Sequence, residues 1–260
     1  MAYLASFFFI IATLSSQEAL EIGRKVWQNE CAGTIEGLTS WNNGEEFASL
    51  GIGHFIWYPE NAKGPFVETF PELVQFCKSQ GASIPIWIEH ARGCPWKNQA
   101  DFRKALQTNS KQMGDLRSFL QTTILLQAQF LQVRLERALP ELFAFAGKEK
   151  KSKIEALYRR IYAQPNGPFA ILDYVNFKGY GTSPNETYDG LGWGLYQVLE
   201  NIPDRSDEDL LVQFVASAKK ILKRRIEHAP KKNEERFLKG WFRRLEGYLP
   251  EEASENRPIH

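Results

Sequence analysis

The sequence predicts a mainly α-helical α+β protein, with a long central helix and a small β-hairpin next to a cleft. Three observations carry that expectation. Apolar residues recur at three- and four-residue steps over most of the chain. The helical period is lost between Thr34 and Pro59. That break holds a turn signal, Asn42-Asn43-Gly44, and a glycine-laced aromatic run ending at Pro59. With 260 residues, 43% hydrophobic and 24% charged, the chain can bury a sizeable core. A net charge of +1 gives no general pull on nucleic acid, which is not expected as a partner.

Residues 1–16, MAYLASFFFIIATLSS, carry no charged side chain. Their apolar run, Leu4 to Leu14, is too short to span a bilayer as a helix. It reads as a signal peptide cleaved near Ser15 or Ser16, giving a periplasmic or secreted protein. No later segment is apolar enough for a membrane span. Residues 17–250 then read as one helical domain and 251–260 as a C-terminal tail.

The stretch QEALEIGRKVWQNECAG predicts an amphipathic helix. Ile22, Gly23, Val26, Trp27, Glu30 and Cys31 share one face, and Gly33 suits a left-handed cap. In the break that follows, TSW and FASLGIGHFIWYP form the predicted hairpin. Gly51 and Gly53 remove side chains where a backbone approaches closely or where the strand bends. Further helices are predicted over 71–79 and 98–106, with Ile84–Ile88 as a buried extended piece. The longest predicted helix runs from Lys111 to Leu139, striped by Leu116, Phe119, Leu120, Thr123, Leu126, Gln127, Phe130, Leu131 and Leu135. Others are expected over 151–163, 169–177, 191–201, 207–228 and 234–249, with a glycine-rich loop, KGYGTSPNETYDGLGWG, between them.

Glu30 is the most informative polar residue. A carboxyl group on an otherwise apolar helix face loses solvation of its charged form. That is what a general acid needs in order to protonate a glycosidic oxygen near neutral pH. The bland alternative is a buried Glu paired with an Arg or Lys. Seven Trp and a 13% aromatic share fit a surface that stacks on pyranose rings, although many of these rings belong in a core. Trp41, Phe55, Trp57 and Tyr58 are candidates to stack on sugars, and His54 and Gln197 to hydrogen-bond them. Three cysteines make no disulfide framework and no zinc pattern. Cys77 and Cys94 are a possible pair, and Cys31 is a packing residue or the nucleophile of an amidase or peptidase. The basic KKILKRRIEH and RFLKGWFRR runs read as solvated helix faces or as an adhesive surface for an anionic polymer.

The run Ser49-Leu50-Gly51-Ile52-Gly53-His54, following a helix that carries Glu30, resembles the lysozyme superfamily and phage-type lysozymes in particular. The resemblance implies a lysozyme-like fold in which Glu30 is the acid and Ser49 stands at a Thr position that helps place the attacking water. Glu36, in Glu36-Gly37-Leu38, also resembles the phage pattern and is the second claimant. Where the family has a hairpin Asp, this chain has Asn42 and Asn43, so Glu46 or Glu45 must serve as any second carboxylate. Gly192-Trp193-Gly194-Leu195-Tyr196-Gln197-Val198 is similar to a run in soluble lytic transglycosylases, and Asn176 is placed like an Asn of their Tyr-Asn-Ala-Gly motif. Those relatives work with a single Glu. The resemblance therefore implies a muramidase or lytic transglycosylase that cuts peptidoglycan, or a related N-acetylated polysaccharide, as a monomer without metal or organic cofactor. The polymer would lie along the Glu30 helix, the 40–58 hairpin and the 180–197 loop. The competing expectation is a non-catalytic glycan-binding or envelope interaction protein on the same scaffold.

Overall fold

A computed structural model describes residues 14–203, 209–230 and 233–250. Most of the expected leader and all of the expected tail lie outside the described residues. The chain is mainly helical with small antiparallel sheets, and its contacts divide it into two compact units, Met1–Phe130 and Leu131–His260, where the sequence suggested one domain. Among the described residues no helix is long and apolar enough to cross a membrane.

The first unit opens with α1 (Ser16–Cys31), whose start is written in the sequence. The Ser15 hydroxyl accepts from the Glu18 backbone N–H while the Glu18 carboxylate accepts from the Ser15 N–H, a reciprocal capping box. Ala19, Ile22, Gly23 and Val26 face the core. At Gly23 a side chain would press on Ile124, so the helix backbones approach closely there. Ala32, not Gly33, takes the cap position, with φ +52°, and Gly33 follows it in the left-handed region.

The hairpin is a three-stranded antiparallel sheet: β1 (Thr39–Ser40), β2 (Ala48–Leu50) and β3 (Phe55–Trp57). Ser49 sits opposite both Ser40 and Ile56. Alternation along β2 sends Ala48 and Leu50 into the core and Ser49 to the other face. Helices α2 (Phe70–Ser79), α3 (Ile86–Glu89), α4 (Gln99–Gln107) and α5 (Lys111–Thr122) complete the surround. Asn98 caps α4 by accepting from the Asp101 N–H. Ile84–Ile88 is not a buried strand: Pro85 caps the short α3 and Ile86 is exposed.

The single long helix expected from Lys111 to Leu139 is two helices. α5 ends at Thr122, and α6 (Ile124–Phe145) starts after Thr123, whose hydroxyl donates to the Phe119 carbonyl at 2.7 Å. A β-branched residue bonding back to the previous turn competes with the helical ladder, and here it marks the break. Thr123 reads as one more stripe position, so the pattern alone does not show it.

The second unit holds the rest of α6, then α7 (Gly147–Tyr162) and α8 (Gly167–Lys178). The glycine-rich loop contains a two-stranded hairpin, β4 (Thr187–Tyr188) and β5 (Leu191–Gly192). It is followed by α9 (Leu195–Glu200), α10 (Leu210–Glu227) and α11 (Leu238–Glu246). The anchor of this unit is polar. Asp173, fully buried on α8, accepts two bonds from Arg244 at 2.7 and 2.8 Å and one from the Tyr248 hydroxyl at 2.6 Å. Much of the basic C-terminal charge is engaged internally: Lys219 pairs with Glu246, Arg225 with Glu234, and Arg224 donates to the Gly192 carbonyl. That favours the structural reading of those runs over an adhesive one.

Candidate active site

The C-terminal turn of α1 and the β2–β3 turn meet at one corner of the first unit. Chain reversal after α1 is tight: Thr34 N–H and its hydroxyl both donate to the Cys31 carbonyl, and a side chain at Gly37 would run into that carbonyl. The reversal leads through the short 3-10 turn Glu36–Leu38, whose Leu38 carbonyl accepts from the Gly51 N–H at 2.8 Å. The Cys31 thiol in turn lies 3.8 Å from the Gly51 carbonyl. The last residues of α1 are thus tied to the first glycine of the turn.

The turn itself is Gly51-Ile52-Gly53-His54. Gly51 has φ +68° and His54 φ +46°, a left-handed conformation that a non-glycine residue adopts at some cost, about 1–3 kcal/mol, and that clusters at functional sites. It places the imidazole over the end of α1: His54 Nε2 lies 3.8 Å from Glu30 Oε2. That is ion-pair range and too long for a direct hydrogen bond. The Glu30 side chain is only 12% exposed and the His54 side chain 39%, so the carboxyl sits beneath a partly open imidazole. Glu36, the rival acid, is exposed on its 3-10 turn.

A residue that the sequence reading did not assign to the site fixes the turn. Gln127, fully buried on α6, accepts from the Ile52 N–H at 2.9 Å and donates to the Leu120 carbonyl at 2.6 Å and the Thr123 hydroxyl at 3.1 Å. The available signal was a lone amide in an apolar stripe, since a buried Gln must find partners. A side chain at Gly51 would run into Gln127 Oε1, and one at Gly53 into the Phe55 ring. Gly51→Ala is therefore expected to destabilise the fold by about 1–2 kcal/mol from the left-handed backbone alone. Displacing the buried amide adds about 1–3 kcal/mol. Urea denaturation of the variant checks the sum.

The other expected site residues are distributed as follows. Ser49 lies mid-sheet, 4% exposed, with its carbonyl accepting from the Ser40 hydroxyl. Glu46 is exposed at the opposite end of the sheet, past β2, from the His54 turn. Three strand residues, roughly 10 Å, separate those ends, so Glu46 lies at the far end of the sheet from the turn that carries His54. Trp57, 2% exposed, packs on Phe70 and Trp87 and leaves no ring face for a sugar. Tyr58 and Phe55 are equally core residues, the Tyr58 hydroxyl accepting from the Phe66 N–H. Trp41 is mostly buried against Phe102 and bonds the Glu45 carbonyl, with one edge on a cavity near Glu46. Gln197 belongs to the second unit. Its amide donates to the Gly181 carbonyl at 2.9 Å and fills the space that side chains at Gly181 and Gly192 would need, so it props the glycine-rich loop. Asn176 lies on α8 in the same unit.

All three cysteines are free and buried, so Cys77 and Cys94 are not bonded to each other. Burial, and next the charge of Glu30, push the Cys31 thiol up to about 12. A thiol so firmly protonated is a poor nucleophile at neutral pH, which counts against a Cys31-dependent amidase. Among the described residues no group of three or more His, Cys, Asp or Glu is arranged to hold a metal ion. What the corner offers chemically is one sheltered carboxyl group, one imidazole above it and a rigid glycine turn. Set against models of protein families, curated proteins and solved structures, the chain matches none.

Proposed function

We propose that the protein is an exported glycan-cleaving enzyme acting on peptidoglycan, with Glu30 as the general acid. The observation that carries this reading is the sheltered Glu30 carboxyl, 12% exposed, held 3.8 Å from His54 on a glycine turn. The Ser49–His54 run resembles phage-type lysozymes, and Glu30 ends its helix beside that run as the resemblance implies. In this reading Glu30 protonates the departing glycosidic oxygen, which leaves an oxocarbenium-like sugar.

The position of Glu46 favours a single-carboxylate mechanism. With Glu46 at the other end of the sheet, capture of the sugar by its own hydroxyl, as in a lytic transglycosylase, ranks above a water activated by that carboxylate. The experiment is mass analysis of soluble products released from purified cell wall. Anhydro ends identify intramolecular capture, and reducing ends identify hydrolysis by a muramidase. Wall that is bound but never cut would instead establish the second reading, a glycan-binding protein on a lysozyme-like scaffold.

A further inference from the structure

A cavity of about 960 Å³ opens at the end of the sheet opposite the His54 turn. Its walls come from the β1–β2 connection, the segment after β3 and the connection between α3 and α4. They include Trp41, Glu46, Glu60, Trp87, Arg92 and Lys97. The walls are built rather than loose. The Cys94 N–H donates to the Tyr58 carbonyl at 2.8 Å, Pro59 and Cys94 form a β-bridge, and a side chain at Gly93 would collide with the Glu60 backbone. The volume is in the range of pockets that take small ligands.

The lining carries both signs of charge. Glu45, Glu46 and Glu60 supply three carboxylates, Arg92 and Lys97 two cations; Glu45 accepts from the Asn42 amide, and none of the other four is paired with another side chain among the described residues. Trp87 adds a ring to the wall. A neutral sugar would leave these charges unmatched, and a nucleic acid would meet three carboxylates. A short peptide bearing a free amine and carboxylates matches both signs.

We infer that this cavity binds the amine- and carboxylate-bearing peptide of a cell-wall polymer, next to the site where its glycan strand is cut. The inference rests on the wall-polymer reading, since such peptides hang from the glycan, and roughly 10 Å of strand separates the cavity from the His54 turn. Arg92 and Lys97 would hold the peptide's carboxylates, and Glu46 and Glu60 its amine.

The test is titration calorimetry with the synthetic tetrapeptide Ala-Glu-Lys-Ala, which needs no cleavage. Binding should be the same for the unaltered protein and for Glu30→Gln. The double variant Arg92→Ala/Lys97→Ala, at two exposed positions where folding is not at stake, should weaken it at least tenfold. Acetylating both amines of the peptide should weaken binding to the unaltered protein to a similar degree. No binding to the unaltered protein, or binding that neither change alters, overturns the inference. If wall is cut while the peptide fails to bind, the cavity assignment falls and the enzyme reading stands. If the peptide binds as stated while wall is never cut, the reverse holds.

Discussion

Glu30→Gln is expected to lower turnover on an N-acetylated oligosaccharide by about a hundred- to ten-thousand-fold, the range that a positioned general acid contributes. The amide keeps the shape of the carboxyl group and removes its proton. Fold and affinity should therefore persist, and the loss should appear in kcat rather than in KM. Glu36→Gln is the matched control: its carboxyl is exposed, and its backbone carbonyl alone serves the turn by accepting from the Thr39 hydroxyl. Its turnover should stay close to that of the unaltered protein. Equal losses in both variants would move the acid away from Glu30.

The largest stability effect should come from Arg244→Ala. Asp173 is fully buried, and Arg244, 10% exposed, supplies two of its hydrogen bonds. Removing the guanidinium strands a charge in the interior, which costs about 3–5 kcal/mol. Tyr248→Phe removes one donor and leaves the ion pair in place, so a smaller loss, on the order of 1–3 kcal/mol, is expected. Denaturant titration of the two variants should rank them in that order. Tyr248 also shows how dry this corner is: burial first, then the Asp173 charge, push its hydroxyl well above the ordinary tyrosine range.

Much of the helical content was legible in the residues. Apolar stripes are local signals, and α1, α2, α4, α7, α8 and α10 lie close to where those stripes put them. Three kinds of feature were not legible. The break at Thr123 depends on a hydroxyl choosing its own helix's carbonyl, and the apolar period runs through it undisturbed. Asp173 and Arg244 lie 71 positions apart, and no local pattern pairs them. The turn from aromatic run to core is the third. Trp57 and Tyr58 have the composition of a sugar platform, but β3 is covered by α2 and α3, and the rings are spent on Phe70, Trp87 and Phe47.

At the candidate site the balance was different. Glu30 was singled out from its helix face, Gly51 and Gly53 as glycines in the break, and His54 through the resemblance to phage-type lysozymes; the fold puts Glu30 and His54 3.8 Å apart. What the spacing concealed was the support. Gln127 reaches the turn from 75 residues away, and its place in an apolar stripe acquires meaning only once the Ile52 N–H is seen to need an acceptor. The partner carboxylate is a length question. Glu46 is near Glu30 in sequence, yet a strand running away from the corner carries it to the other end of the sheet.

The decisive measurement is release of soluble fragments from purified cell wall by the unaltered protein and by Glu30→Gln, run side by side. The acid–imidazole corner predicts steady release by the first, and by the second continued wall binding with no release above background. Equal release by both proteins, or none from either while the fold is intact, would contradict it.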